Sequence, residues 1–444
     1  MAEPVTYNSA LELLLRAAPR IGTERLALAE SCDRVLRQDL VADRDQPPFD
    51  RSAMDGFALR ADAWSPVNAE TSEKRFRVVG EVPAGGTLAD GLDPDPVRDV
   101  VRIATGAAVP DCFDAVVQIE KAAVSEGDET AVVFEINGVE PFKNIHRRGA
   151  DAAAGDVVVK AGTVVQPHHL GIAAAVGATE IEVSRRPSVV VLSSGDEVQP
   201  TGTPTERLAP QHIRNSNGPM LVALLRAMGC EVLRHDHVVD EADVVRRACA
   251  DAAVEADLVV TTGGVSVGSR DLFPTTWPEL GYETVVHGIK MQPGKPVFVA
   301  KPPSFSPTDF TANPAVAPPY TALVVGLPGN PVSVLATAHL VVWPIVRKML
   351  GLDITEGGGL PWQRLRLASP ARPNPRREAF RVARFVDAIR DRIEVLPWQG
   401  SGDLVHTVKA DGWVQLPAQT DELVAGSDVF FLPLLGGYAD AGAK

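Results

Sequence analysis

The apolar and polar positions of the chain follow two different patterns. From about residue 40 to 185, short runs of alternating apolar and polar residues, such as "RFRVVGEV" and "TAVVFEI", are separated by Gly, Pro and Asp. Alternation with a period of two is typical of strands that bury one face. We therefore predict small antiparallel sheets or a barrel-like unit here, preceded by a helix in "NSALELLLRAAPR".

The pattern changes at residue 187. "SVVVLSS" and "DLVVTTGG" are nearly continuous apolar runs, which is the pattern of strands buried on both faces. Helical segments, "NSNGPMLVALLRAMG" and "DEADVVRRACADAAVEA", alternate with such strands. This alternation predicts a doubly wound, mostly parallel sheet. A further helix is predicted in "PVSVLATAHLVVWPIVRKML", and short strand patterns return after about residue 353.

These changes predict a multidomain α/β plus β fold with four units. The expected units are an N-terminal helix and linking β domain (1–45 with 144–186), a β-rich domain (46–143), the doubly wound α/β domain (187–352) and a small C-terminal β-barrel-like domain (353–444). Residues 301–320 carry six prolines, so we expect an exposed insertion there.

Composition narrows the classes of function. A net charge of −14 over 444 residues disfavours a nucleic-acid-binding surface. We expect no signal peptide and no membrane span, because we find neither a basic leader nor an apolar stretch of sufficient length. None of the four cysteines forms a C-x-x-C pair, which favours a reducing cytoplasm. The segment "FKNIHRR" concentrates Lys143, Arg147 and Arg148, either as a solvated basic turn or as an anion site.

The residues that follow the predicted parallel strands suggest a ligand site. Such sheets bind ligands beyond the carboxyl ends of their strands. Here those ends carry "SSGDE", Asp240-Glu241, "TTGGVSVGSRD" and "GLPGNPVS". Glycine turns offer backbone N–H groups to anions, and carboxylates in the same crevice require a cation between them and a phosphate. Glu197, Asp240 and Asp271 therefore indicate a metal-assisted phosphoryl or nucleotidyl site, which Ser194, Gly263, Gly264 and Ser266 would line. The alternative is that the turns only connect strand to helix and that Asp271 caps a helix.

Seven ordered motifs resemble one known family. They are "PFDRSAMDGFA", "IATGAAVP", "SSGDEV", "TTGGVSVGSRD", "QPGKP", "GLPGNPVSVL" and "QGSGDL". From about residue 5 to 432 the chain resembles the molybdopterin molybdenumtransferases, which include the bacterial MoeA proteins and the matching domain of gephyrin. The resemblance implies an enzyme that inserts molybdenum from molybdate into adenylylated molybdopterin. It further implies hydrolysis of the adenylyl bond with a divalent cation, which releases AMP.

The resemblance also implies roles for particular residues. The acidic catalytic residues would be Asp55, Glu197, Asp240 and Asp271, of which Asp55, Glu197 and Asp271 would hold Mg²⁺ or another divalent cation. Thr105 would lie near them, Lys295, Ser333, Arg377 and Ser401 would bind molybdate, and Arg147 and Arg148 would contact the substrate. The implied assembly is a homodimer, in which "SAMDG" of one subunit faces the doubly wound domain of the other. The implied protein partners are the molybdopterin adenylyltransferase and acceptor molybdoenzymes.

Two positions depart from the family pattern. Gln292 stands where many relatives have Lys, and His146 stands where relatives often have Arg. Both changes remove positive charge from an anion site. They leave two alternatives open: a dimeric scaffold or binding protein with reduced catalysis, or an enzyme that uses tungstate in place of molybdate.

Overall fold

The computed structural model describes residues 3–64, 75–125, 128–136, 138–264, 272–303, 320–354 and 357–435. Ser266, Asp271 and all but the ends of the proline-rich insertion lie outside these ranges. The expectations for those residues therefore stay predictions.

The described N-terminal part contains helices, two-stranded sheets and one six-stranded sheet. Its helices are Tyr7–Ala17 and Pro167–Ala175. Three short antiparallel pairs join Thr23–Ala27 to Glu180–Ser184, Leu40–Val41 to Val157–Val159, and Arg51–Ser52 to Ile145–His146. A six-stranded sheet has the order Ala115–Gln118, Gly56–Leu59, Asp99–Ile103, Arg75–Val82, Asp128–Phe134, Ala122–Ser125. Apart from one parallel pair, its neighbours are antiparallel, which agrees with the alternating pattern of the sequence.

The central part is a doubly wound α/β unit. Its sheet has the order Glu231–Val238, Ser188–Ser194, Leu258–Thr262, Leu323–Leu327, Phe298–Lys301, Glu283–His287. The first four strands are parallel and the last two are antiparallel to their neighbours. The helices are Asn217–Ala227, Ala242–Glu255, Phe273–Glu279, Pro331–Thr337 and Trp343–Met349. A short parallel pair joins Val198–Gln199 to Ile213–Arg214.

Alternate residues of the central strands enter two different cores. Val189 and Val191 pack in the larger core, whereas Val190 and Leu192 pack in the core on the other face. Because successive side chains of a strand point to opposite faces, a continuous apolar run is what a doubly covered strand requires. The sequence pattern therefore identified these strands correctly.

One central helical segment is long and apolar. Pro331–Met349 passes through a π-helical turn, Ala338–Val342, and by length and composition could cross a membrane. However, 89% of its most apolar window is buried inside the protein. It therefore has the surroundings of a core helix.

The C-terminal part is a closed barrel. Its five strands, in ring order, are Glu378–Phe385, Arg392–Val395, Gln363–Leu367, Asp428–Pro433 and Gly412–Leu416, which pairs back onto the first. Met291–Gln292, from the central part of the chain, pairs parallel with the start of Glu378–Phe385. Phe380 and Trp413 share the large core with Leu14 of the N-terminal helix and Val325 of the α/β sheet. The barrel is thus packed against the α/β unit.

Short 3₁₀-helical turns complete the described chain. They are Leu28–Glu30, Ala61–Trp64, Ile119–Lys121, Thr205–Arg207, Gly357–Gly359 and Val405–Lys409.

Candidate functional site

A cavity of about 510 Å³ lies at the carboxyl ends of the parallel strands. We name it the acidic cavity, because Asp196, Glu197 and Asp240 line it. The complete lining is residues 193–198, 213–217, 240, 262–264, 296 and 328–331. These residues follow Ser188–Ser194, Glu231–Val238, Leu258–Thr262 and Leu323–Leu327, as the rule for ligand sites in doubly wound sheets predicts.

Glycine is required where these turns meet. Gly263 has φ +85°, and a Cβ there would lie 2.6 Å from the carbonyl oxygen of Ser194. Gly195 has φ +130°, and its Cβ would lie 3.0 Å from Oε2 of Glu197. A side chain at either position would be strained in backbone conformation and would meet a neighbouring wall of the cavity. The glycines therefore let two strand ends approach each other and expose their backbone groups.

Two asparagines tie the walls of the acidic cavity together. Asn217 Nδ2 donates to Thr262 Oγ1 at 3.2 Å and to the carbonyl of Gly329 at 2.7 Å. Asn215 Nδ2 donates to Ser193 Oγ at 3.0 Å, and its Oδ1 accepts from the N–H of Gly218 at 2.9 Å. Asn217 Oδ1 is buried and has no hydrogen-bond partner among the described residues.

The carboxylates of the acidic cavity repel one another. Partial burial raises the pKa of the Asp240 carboxyl above its ordinary value, and the charge of Asp196 raises this pKa further. A hydrogen bond from Ser194 opposes this change. A bound cation would relieve the repulsion, because an opposite charge favours the ionised carboxylate. Among the described residues, however, no three His, Cys, Asp or Glu side chains are grouped closely enough to hold a metal ion.

A second cavity, of about 560 Å³, lies between the α/β unit and the barrel. We name it the basic cavity, because three cationic side chains, Lys295, Arg377 and Arg381, line it together with the hydroxyls of Ser333 and Ser401. Its full lining is residues 292–296, 328, 330, 333, 377, 381 and 398–401, which includes no carboxylate. Burial lowers the pKa of the Arg381 guanidinium, which lies 4.1 Å from the centroid of the Trp398 ring. This arrangement suits an anion that exchanges its water for fixed cations and hydroxyl donors.

The two cavities adjoin. Pro296, Pro328 and Asn330 line both of them. Asn330 Nδ2 donates to Ser401 Oγ at 2.8 Å, and the carbonyl of Ser401 accepts from the N–H of Val332 at 3.0 Å. The barrel is thus fixed to the α/β unit at the boundary between the two cavities. A ligand in one cavity therefore lies beside a ligand in the other.

The sequence-predicted residues from the N-terminal part lie elsewhere. Oδ1 of Asp55 accepts from the N–H of Thr105 at 2.7 Å and from its hydroxyl at 3.0 Å. These bonds, the backbone one first, lower the pKa of the Asp55 carboxyl. Arg148 donates to Asp45 at 2.7 Å, and the guanidinium of Arg147 lies 4.2 Å from the centroid of the Phe142 ring. None of Asp55, Thr105, Arg147 and Arg148 lines the acidic or the basic cavity of its own chain.

The structure therefore groups the predicted residues in three sets. Ser194, Glu197, Asp240, Gly263 and Gly264 meet in the acidic cavity; Lys295, Ser333, Arg377 and Ser401 meet in the basic cavity; Asp55, Thr105, Arg147 and Arg148 lie apart. Sequence reasoning missed Asn217, Asn330 and Arg381. Arg381 lies in the strand Glu378–Phe385, and Arg377 directly precedes that strand. If the extended backbone includes Arg377, period two places both side chains on one side. That spacing was the signal for Arg381.

Three family models match the chain in order. They are the MoeA N-terminal region (domain I and II) at residues 5–177, the probable molybdopterin binding domain at 190–348 and the MoeA C-terminal region (domain IV) at 364–434. Together they span most of the chain and contain both cavities.

Relatives that match most of the chain agree with the family models. The chain is 33% identical to the molybdopterin molybdenumtransferase of Synechococcus elongatus, over 96% of this chain and 98% of the relative. It is 30% identical to that of Staphylococcus epidermidis, over 78% of this chain and 76% of the relative. The crystal structure of the molybdopterin biosynthesis moeA protein from Pyrococcus horikoshii OT3 has a TM-score of 0.78 at 25% identity, with 97% of this chain and 100% of the other covered. The chain therefore belongs to the MoeA family of molybdopterin molybdenumtransferases, enzymes of molybdenum cofactor biosynthesis.

Proposed function

We propose that the chain inserts molybdenum from molybdate into adenylylated molybdopterin and hydrolyses the adenylyl bond with a divalent cation, releasing AMP. One observation carries the proposal: a carboxylate-lined cavity and a carboxylate-free cationic cavity adjoin at Asn330. The reaction requires such a pair, because a metal-assisted step at a phosphate and the capture of a free oxyanion need environments of opposite charge. The junction brings the two reactants together.

The basic cavity is the proposed molybdate site. Molybdate is a tetrahedral dianion, and Lys295, Arg377 and Arg381 offer more positive charge than it needs for neutralisation. The hydroxyls of Ser333 and Ser401 complete a set of donors that approach from both the α/β unit and the barrel. Tungstate has the same shape and charge, so it belongs in the same experiments as a second substrate.

The acidic cavity is the proposed site of the adenylylated pterin and of Mg²⁺. The residues fit a divalent cation, since Mg²⁺ is usually held by one or two carboxylates together with substrate phosphates, and Glu197 and Asp240 are available. Bound there, the cation would neutralise phosphate charge. The turns at Gly263 and Gly264 would present their backbone N–H groups to the phosphate. Asp271 and Ser266, which follow the same turn in sequence, are proposed to complete this site.

Asp55 and Thr105 are proposed to contribute to the site of the other subunit in a homodimer. Within one chain they lie outside both cavities, yet Thr105 holds the Asp55 carboxyl in its ionised form by two hydrogen bonds. We propose that Asp55 of the partner subunit faces the acidic cavity, with Arg147 and Arg148 on the same surface contacting the substrate. The proposed location is the cytoplasm, where the adenylyltransferase would supply the substrate and molybdoenzymes would accept the product.

AMP release tests the proposed reaction. Purified protein is given adenylylated molybdopterin and Mg²⁺, with molybdate, with tungstate or with neither. We expect molybdate-dependent AMP release together with active cofactor, and loss of both on removal of Mg²⁺ with a chelator. Binding of the adenylylated substrate without AMP release under any of these conditions would instead favour a dimeric scaffold.

Complementation tests the shared site. Asp55→Asn and Asp240→Asn should each abolish AMP release as homodimers. A mixed dimer of the two variants holds one site in which both carboxylates are native, so mixing and subunit exchange should restore activity. No recovery, despite subunit exchange confirmed by mass spectrometry, would refute a site built from two subunits.

A further inference from the structure

Gln292 lines the basic cavity, at a position where the family resemblance implies a lysine. Its Oε1 accepts a hydrogen bond from Nδ2 of Asn374 at 2.6 Å. The two amides are 82 residues apart in sequence and connect the α/β unit to the segment between the barrel strands Gln363–Leu367 and Glu378–Phe385. Gln292 therefore has a specific hydrogen-bond partner, Asn374.

Asn374 holds the backbone on which Arg377 stands. Its Oδ1 accepts from the N–H of Arg376 at 2.9 Å and from the N–H of Arg377 at 3.2 Å. This side-chain turn is stiffened by Pro375, which restricts the backbone of the preceding asparagine to extended conformations. The position of the Arg377 backbone therefore depends on the orientation of the Asn374 amide.

The hydrogen bonds determine the orientation of the Asn374 and Gln292 side-chain amides. Oδ1 of Asn374 is committed to two backbone N–H donors, so the group that faces Gln292 is the Nδ2 donor. Gln292 must then accept this hydrogen bond with its Oε1. The Nε2 group of the same amide remains as a donor. A lysine at this position has no acceptor and could not make the contact.

A backbone pairing also connects the Gln292 segment to the residues that follow Arg377. Met291–Gln292 pairs in parallel with Glu378 and Ala379, directly after Arg377. Glu378 in turn accepts from Nε2 of Gln415 at 2.6 Å. Arg377 is thus enclosed between the Asn374 turn and a strand pairing, and Gln292 takes part in both.

We infer that Gln292 is a positioning residue for oxyanion binding: through Asn374 it holds Arg377 at the basic cavity, in place of the charge that a lysine would supply. The cavity retains Lys295, Arg377 and Arg381 without a lining carboxylate, so a dianion is still neutralised. In this chain, Gln292 therefore supplies no positive charge of its own and instead fixes the orientation of Arg377. The inference rests on the proposed function in taking molybdate as the ligand.

Direct molybdate binding to the purified full chain, measured by calorimetry, separates this inference from the reaction. Gln292→Met, which loses one hydrogen bond, should weaken binding roughly five- to tenfold. Asn374→Ala, which loses three, should weaken it at least as much. In the AMP assay the same variants should raise KM for molybdate while kcat at saturation is retained. Gln419→Met is the matched control, since this glutamine lies on the barrel, donates only to the carbonyl of Asp421 among the bonds described, and does not line the cavity.

A double-variant cycle tests whether the effect passes through Arg377. In an Arg377→Ala background, Asn374→Ala should have no further effect on molybdate affinity. Additive losses, or native affinity in both single variants whose melting midpoints match the parent chain, would overturn the positioning role and leave the proposed function intact. If the parent chain itself binds neither molybdate nor tungstate, the proposed function fails and this inference fails with it.

Discussion

His339 allows the balance between burial and charge to be measured in this fold. The residue is 1% exposed and lies in the π-helical turn Ala338–Val342. Nδ1 lies 2.8 Å from the carbonyl of Leu335, and Nε2 lies 2.9 Å from the N–H of Leu435. A carbonyl only accepts and an N–H only donates, so Nδ1 carries the proton and Nε2 accepts. The imidazole is therefore neutral, and protonation at Nε2 would break its bond to Leu435.

The magnitude follows from the pKa. Burial lowers the pKa of His339 from 6.5 to about 4, although the bond to Leu335 acts in the opposite direction. Because the folded pKa lies below the unfolded one, the unfolded chain takes up the proton first as the pH falls. The contribution to stability is complete above pH 6.5 and is lost progressively down to pH 4. A difference of about 2.5 between the two pKa values corresponds to roughly 3 kcal/mol.

The assay compares the parent chain with His339→Gln, which does not titrate. Urea unfolding is followed by tryptophan fluorescence between pH 7 and pH 4, since the rings of Trp343 and Trp413 lie 6.2 and 6.3 Å from the imidazole. Carboxylates contribute to both chains alike, so the difference in unfolding free energy isolates the histidine. The advantage of the parent chain should shrink by roughly 3 kcal/mol across this range. His168→Gln, at an exposed position, is the control. Parallel pH curves for the parent chain and His339→Gln would refute the reasoning.

Further predictions concern the two cavities. Gly263→Ala should lower the free energy of unfolding by about 1–3 kcal/mol, because its positive φ strains any side chain. The control is Gly202→Ala, whose added Cβ would have no atom within 4 Å and which should not shift the urea midpoint. Arg381→Ala should weaken molybdate binding in calorimetry, and Arg381→Lys should not restore it, because an ammonium does not reproduce the planar contact with Trp398; full recovery by Lys would contradict that account. Asp271→Asn should abolish adenylate hydrolysis with an unchanged circular dichroism spectrum, and retained full activity would exclude the proposed metal role.

Local patterns in the sequence predicted the acidic cavity well. Ser188–Ser194 and Leu258–Thr262 are continuous apolar runs, and parallel strands bring their carboxyl ends to one edge whatever the rest of the chain does. Ser194, Glu197 and Gly263 therefore converge as expected. No long-range information was needed for this part.

The basic cavity depended on information that local patterns do not carry. Its walls come from residues 292–333 and 377–401, and their meeting is decided by how the barrel packs on the α/β unit. Family motifs supplied Lys295, Ser333, Arg377 and Ser401. Arg381 belongs to none of these motifs, and its four-residue spacing from Arg377 was its only signal. Asp55 was grouped with Glu197 by motif alone, and within one chain the structure keeps them apart.

The closed ring of the C-terminal barrel has a consequence for shortened forms of the chain. The last strand, Asp428–Pro433, does not sit at an edge but between Gln363–Leu367 and Gly412–Leu416. A chain that stops before residue 428 would lose a strand from the middle of the ring and expose two unpaired strand edges at once. Open edges of this kind template aggregation. A stop that removes Asp428–Pro433 should therefore yield insoluble protein and not a smaller enzyme with an intact α/β unit.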